Sequence, residues 1–251
     1  MKNIYLFLFL LLFSFGCCIN KTKPPGVKSP KLSQESSEIS EALALKYQNS
    51  SVALIVNLPN TYKTYCSGVW VSKYTMVTAK HCVELEGLLE GEDVIGMPLS
   101  LITYNEFRTT FPPKKRAKAF SAIVSGISEN SDIALLTTKE EVAHEIVRVP
   151  ERPIAVGGPA YIVGSTAGFP FTFMKGVVSQ IRKMNIFENK PPMKTVHITA
   201  HVWFGNSGGP AIDSSGSLLG ICSFMMRAPG ATFFVHRDEV IKLLDKYEIE
   251  F

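Results

Sequence analysis

From about Ser51 onward the apolar residues come in short runs, and polar or turn-forming residues interrupt them repeatedly. Runs at Ser51–Asn57, Ser67–Ser72, Ala119–Ser125, Asp132–Thr137, Ala160–Gly164, Lys175–Ile181, Thr195–His201, Leu218–Phe224 and Ala231–Val235 have the length of strands. Gly, Pro, Asn and Ser punctuate them. Many short strands divided by turn signals predict a β-barrel or sandwich. One stretch has convincing helical spacing: Val240, Ile241, Leu244 and Tyr247 recur at helical intervals, and Asp238 and Glu239 open the helix. No internal sequence repeat is evident.

The chain ahead of Ser51 has a different texture. Lys2 precedes an apolar run from Ile4 to Phe15, which ends at Gly16 and the pair Cys17-Cys18. A basic start, an apolar core and a small residue before a cysteine describe an export signal over residues 1–18. The run is too short to span a bilayer, which takes about 20 residues. A cysteine directly after such a signal resembles a bacterial lipoprotein site, which makes Cys17 the candidate for lipidation and membrane anchorage. Plain cleavage and release is the alternative, so the expected location is the cell envelope or the exterior. Asn20 to Ser40 holds almost no large apolar residue, and residues 19–44 read as a flexible tether.

Composition narrows the picture only a little. A chain of 251 residues makes one large domain or two small ones and needs no metal to fold. With 46% hydrophobic and 19% charged residues, a wholly disordered or collagen-like chain is excluded. Lys and Arg outnumber Asp and Glu by 26 to 22, a balance that points to no partner class. The one dense basic run, Lys114 to Lys118, reads as a solvated loop, and no nucleic-acid partner is expected.

The chemistry concentrates in three segments. In Gly205-Asn206-Ser207-Gly208-Gly209-Pro210 the glycines permit a sharp turn that exposes one hydroxyl and aims backbone N–H groups inward. A serine hydroxyl is a weak nucleophile until a base is placed beside it. Thr78-Ala79-Lys80-His81-Cys82 offers the base. Asn130-Ser131-Asp132-Ile133-Ala134 offers a carboxylate, at the head of a buried strand, that could hold an imidazole in the required tautomer. Singly, each is ordinary: a lone histidine is more often structural, a Gly-Ser-Gly turn is usually only a turn, and an aspartate before a strand is commonly a cap. Gly205-x-Ser207-x-Gly209 also fits the nucleophile elbow of α/β-hydrolases. That fold places its acid and histidine after the serine, and the 44 residues beyond Ser207 cannot also supply the remaining sheet and helices.

Taken together and in this order, the segments resemble the chymotrypsin-like (trypsin-fold) serine proteases, nearest the HtrA-type and glutamyl endopeptidase branch. Tyr161-Ile-Val-Gly164, Gly176-Val-Val-Ser179 and Leu218-Leu-Gly220 extend the likeness over about residues 50–250. The resemblance implies an all-β fold of two six-stranded Greek-key barrels, at about 50–145 and 150–235, with a terminal α-helix at about 238–248; the residues after that helix leave no room for a PDZ domain, so none is expected. It implies a serine endopeptidase acting on protein or peptide substrates without a cofactor or metal. His81 would be general base, Asp132 its orienter and Ser207 the nucleophile, with the N–H groups of Gly205 and Ser207 as oxyanion hole. Cys66, sixteen residues before Cys82, would pair with it. Such a bond suits an oxidising compartment. Cys222, in an apolar strand, reads as an inert buried thiol.

By the same resemblance His201, six residues before Ser207, lies at the base of the primary substrate pocket, and Ser223, Phe224 and Met225 form its wall. None of these selects a charged side chain, so a small or medium apolar residue is expected. Asn206, directly before Ser207, carries no charge to receive a newly cut N-terminal ammonium, so the site is expected to form without such a cut. A catalytically silent binding or adhesin-like protein on the same fold is the alternative function.

Overall fold

The computed structural model describes residues 35–57, 62–84, 91–109, 118–186, 190–226 and 230–251. The export signal with Cys17, the tether up to residue 34 and the basic run before Lys118 lie outside them. Helix α1 (Glu35–Asn49) leads into β1 (Ser51–Asn57), β2 (Tyr62–Trp70), β3 (Thr75–Thr78), β4 (Pro98–Thr103), α2 (Tyr104–Thr109), β5 (Phe120–Ile127) and β6 (Ala134–Thr137). A second set follows: β7 (Pro159–Gly164), β8 (Thr172–Met184), β9 (Met193–Thr199), β10 (Pro210–Ile212), β11 (Leu218–Met225), β12 (Thr232–His236) and α3 (Arg237–Lys246).

Each set closes into an antiparallel barrel. The first runs β1-β2-β3-β6-β5-β4 and the second β10-β11-β12-β9-β8-β7, which is the same connectivity twice. β4 returns to β1, and β10 to β7, so neither barrel leaves an open edge.

The pleat explains how two barrels share one core. Along β6, Ala134 and Leu136 face the first barrel's interior with Leu54, Trp70, Met76 and Leu101. The intervening Leu135 and its neighbour Ile133 face outward, into a cluster with Ile212, Val235 and Leu244. Alternation across a strand makes that division automatic. The second barrel has its own interior around Ile162, Val178, Ile198, Leu219 and Phe234. Each fully buried side chain of this kind contributes about 1.5–3 kcal/mol.

Three strands and the helices α1 and α2 are not apparent from the residue pattern. β3 and β10 are too short for alternation to register, and β4 opens on Pro98. The tether expected over 19–44 is helical from Glu35. Among the described side chains of α1 the large apolar ones that turn toward the protein are Leu43 and Tyr47, one turn apart. Polar contacts fix the helix: Tyr47 Oη donates to Asp213 O at 2.7 Å and Gln48 Nε2 to Phe171 O at 2.9 Å. Both acceptors belong to the second half of the chain, while the next residues enter β1, so α1 straddles the two barrels. At the other end α3 is capped by His236, whose Nδ1 accepts from Asp238 N at 3.1 Å.

Candidate active site

After β3 the chain makes a tight 3-10 turn over Lys80–Cys82. The turn drives Cys82 inward and leaves the His81 side chain 47% exposed. Cys82 is bonded to Cys66 on β2 with a Cα–Cα distance of 6.1 Å, an ordinary span for a disulfide. The two sulfurs lie within 4.8 Å of a His81 ring nitrogen, but the bond between them removes both as thiolate metal ligands.

Asp132, on the loop entering β6, is buried beside that turn. Its Oδ1 accepts the His81 backbone N–H at 2.9 Å and its Oδ2 faces His81 Nδ1 at 2.8 Å. A third donor comes from the other barrel: Ser223 Oγ on β11 donates to Oδ2 at 2.5 Å. A proton held on Nδ1 by the carboxylate leaves Nε2 as the free base. Burial works against a charged ring, but the Asp132 hydrogen bond, its negative charge and that of Glu84 outweigh it, and the His81 pKa lies above the usual 6.5.

The second barrel supplies the turn with Ser207. Gly205 and Gly208 have φ of 95° and 82°, which side-chain-bearing residues rarely adopt. Space is also absent: a Cβ on Gly205 would lie 2.1 Å from Ser165 O, and one on Gly208 2.1 Å from Ser67 O. Within the turn Asn206 N donates to Trp203 O, Gly208 N to Cys222 O and Gly209 N to Asn206 O, at 3.1, 2.8 and 2.8 Å. Among the described residues the N–H groups of Gly205 and Ser207 donate to no protein acceptor. The Phe204 carbonyl is held by Ala167 N at 2.8 Å. Because the peptide is planar, that bond turns the Gly205 N–H the opposite way.

Ser67 reaches this turn from the first barrel. Its N–H donates to Ser207 O at 2.8 Å, and its Oγ donates to Gly205 O at 2.8 Å while accepting from Ser165 N at 2.9 Å. Asn206 is buried, and among the described residues its side-chain partners are neutral: Nδ2 donates to Trp203 O at 2.9 Å and Oδ1 accepts from Thr166 Oγ1 at 3.0 Å. Ser207 is half-buried, and among the described residues no hydrogen bond joins its Oγ to His81. Unliganded sites often leave that contact long.

The expected pocket residues divide. The Ser223 hydroxyl points to Asp132 rather than to a pocket. Phe224 is half-buried and stacks on Phe233 with centroids 4.9 Å apart. Met225 is half-buried and His201 exposed. Two cavities of about 300 and 600 Å³ lie against α3, and neither is lined by His81, Asp132 or Ser207. Cys222 is fully buried and burial, helped by the Asp132 charge, pushes its thiol up to about 12, so it stays protonated and inert. The remaining histidines are structural: His144 stacks on Trp70 and His197 on Phe233. Residue spacing alone marks neither Ser67 nor the Ser223–Asp132 bond.

These features place the chain among peptidases of the two-barrel type. The sequence model of the trypsin-like peptidase domain matches residues 66–221, and the chain belongs to that family. It is 29% identical over 118 residues to "Protease Do-like 1, chloroplastic" of Arabidopsis thaliana, covering 45% of this chain and 27% of that one. It is 28% identical over 138 residues to "Serine protease HtrA-like" of Staphylococcus aureus, covering 50% and 18%. The matched region thus spans well under half the length of either relative. Among solved structures, the active form of the Rv3671c protease from M. tuberculosis superimposes with a TM-score of 0.65 at 18% identity, over 92% of this chain and 96% of that one. The HtrA-type protease AlgW with a tripeptide gives 0.62 at 16%, over 82% and 62%.

Proposed function

We propose that the protein is a serine endopeptidase that cleaves protein or peptide substrates through an acyl-enzyme. The observation that carries this is the buried Asp132 carboxylate, which fixes His81 through two hydrogen bonds, with the adjoining Cys82 Sγ 3.7 Å from Ser207 O. Ser207 Oγ attacks the scissile carbonyl as His81 Nε2 takes its proton. The N–H groups of Gly205 and Ser207 receive the oxyanion. His81 then passes the proton to the departing amine, and water repeats the sequence to release the acyl group.

The neutral surroundings of Asn206 support a site that forms without N-terminal proteolysis, since a buried ammonium there would find no counter-charge. The signal-like start supports export, with Cys17 as lipid anchor. Labelling by a fluorophosphonate probe tests the central claim. The wild-type protein should label and cleave peptides, and Ser207→Ala should do neither while folding normally. Turnover that survives in Ser207→Ala would remove Ser207 from its role, and a wild-type protein that never labels would favour the silent binding protein.

A further inference from the structure

Two loops beside Ser207 present aromatic side chains that the chemistry above does not use. Phe204, the residue before Gly205, is 72% exposed and Trp203 is 55% exposed, with the two rings edge to face at 5.5 Å. Phe169, on the facing loop, is 73% exposed. The loops are joined by bonds from Ala167 N to Phe204 O at 2.8 Å and from Ser165 N to Gly205 O at 3.3 Å. Single exposed apolar residues are common, but three large aromatic ones on two bonded loops beside the Ser207 turn mark a binding surface.

The placement is built rather than incidental. The same loop buries Phe171 in the shared core two residues beyond Phe169, so an interior was within reach. Ala167 holds a φ of 52° and Phe171 one of 58°, conformations unfavourable for residues with side chains. Gly168 N to Ser165 O and Phe169 N to Thr166 O keep the loop in that shape, at 3.0 and 2.9 Å. Neither Ser165–Phe171 nor His201–Gly205 contains Asp, Glu, Lys or Arg. His201 is the one titratable group in these stretches, so a charged substrate side chain laid against the three rings would lose hydration with no other counter-charge from either loop.

The side of the site on which these loops lie follows from their neighbours. Thr64 Oγ1 on β2 donates to Gly168 O at 3.1 Å, and β2 continues to Cys66, bonded to Cys82 beside His81. Ser223–Met225 approaches from β11 instead. His81 must reach the departing amine, so the departing half of the substrate lies on the flank of β2 and the disulfide.

We infer that Trp203, Phe204 and Phe169 form an apolar wall that receives an aromatic or large aliphatic side chain from the departing half of the substrate. The inference rests on the peptidase reading, and it has a readout that does not need catalysis. The chain has two tryptophans, and Trp70 is fully buried, so a fluorescence change on peptide binding reports Trp203. In Ser207→Ala protein, an extended peptide rich in Phe and Leu should bind saturably with a blue shift, and its Lys- and Glu-substituted counterpart should not. Phe204→Ser and, separately, Phe169→Ser should each weaken that binding about tenfold, as loss of one buried aromatic contact does.

With Ser207 intact, sequencing of the fragments from a denatured protein should show aromatic and large aliphatic residues enriched just after the cut, and Phe204→Ser should lose that enrichment. An unmoved Trp203, equal affinity for the two peptides, or enrichment before the cut would overturn the wall. A Trp203 response without turnover would overturn the peptidase reading and keep the wall. Turnover with a site preference indifferent to Phe204→Ser would do the reverse.

Discussion

The two barrels share one strand order yet hold their halves of the site by different means. The first fixes side chains: a disulfide pins the turn that carries His81, and a buried carboxylate takes two hydrogen bonds from that residue. The second fixes backbone: the Ser207 turn is shaped by two left-handed glycines and by N–H and C=O groups of adjoining loops. Each barrel also lends one buried serine to the other. Ser223 of the second reaches Asp132, and Ser67 of the first reaches Gly205. The proposed general base therefore depends on side-chain identity, whereas the proposed oxyanion turn depends on the absence of side chains and on a few orienting bonds.

The largest test of the contrast is Asp132→Asn. The amide keeps the shape but lets its NH₂ face Nδ1, which favours the wrong imidazole tautomer. In this triad arrangement that error costs about 10⁴ in kcat. Steady-state kinetics should show the fall with the oxyanion turn unaltered, read as unchanged affinity for a non-covalent substrate analogue. A fall under tenfold would mean that the 2.8 Å contact does not set the tautomer. Next comes the brace. Replacing Cys66 and Cys82 together by Ala opens a loop of sequence separation 16. Closing a loop of that size is worth about 3 kcal/mol. Urea denaturation should show a loss of that order, and proteolysis or hydrogen exchange should place the loosening in the first barrel. Loosening spread equally over both barrels would contradict the division drawn here.

Ser67→Ala probes the crossing bonds. It removes the hydroxyl that ties Gly205 O to Ser165 N and leaves every group of the proposed triad in place. One neutral hydrogen bond of this kind corresponds to about tenfold in rate when it is spent on the transition state. The expected result is a fall in kcat with KM nearly constant, matched by an equal loss of affinity for a boronic-acid inhibitor that mimics the oxyanion. A purely structural serine would lower the melting temperature and leave the inhibitor affinity alone.

The same contrast explains what could be read from the residues. His81, Asp132 and Ser207 stand out because the chemistry proposed for them needs particular side chains inside short, unusual segments. Strands such as Ser51–Asn57 are legible because one face of the alternation is apolar throughout. β3 and β10 escape notice because four and three residues hold too little pattern. Helix α1 escapes because its attachment is made by Tyr47 and Gln48 hydrogen bonds to distant carbonyls rather than by an apolar stripe. Ser223 reads as pocket wall in sequence because its strand position is right, while the direction of its hydroxyl is a matter of tertiary approach to Asp132. Ser67 is one serine among many until the second barrel is packed against it.

The smallest expected effect concerns proton affinity at His81. Its pKa lies above 6.5 because the Asp132 hydrogen bond and charge, with a lesser contribution from Glu84, together outweigh burial. Only the neutral ring can accept the Ser207 proton, so kcat/KM should rise with pH through a limb centred above 6.5. Folding is linked in the opposite sense. The raised value stabilises the fold below the unfolded-state pKa, and that stabilisation is lost as pH rises through the folded value. Glu84→Gln removes one negative charge near the ring and also frees Lys80, which pairs with Glu84 at 3.3 Å. Both changes disfavour the imidazolium, so the limb should move to lower pH while the plateau rate stays constant. The substitution leaves the Asp132–His81 hydrogen bonds intact, so a changed plateau would mean that Glu84 positions the turn rather than merely charging it. A limb that does not move would leave Asp132 as the sole carboxylate felt by the base. A limb that moves upward would contradict the electrostatic account of the first barrel's half of the site.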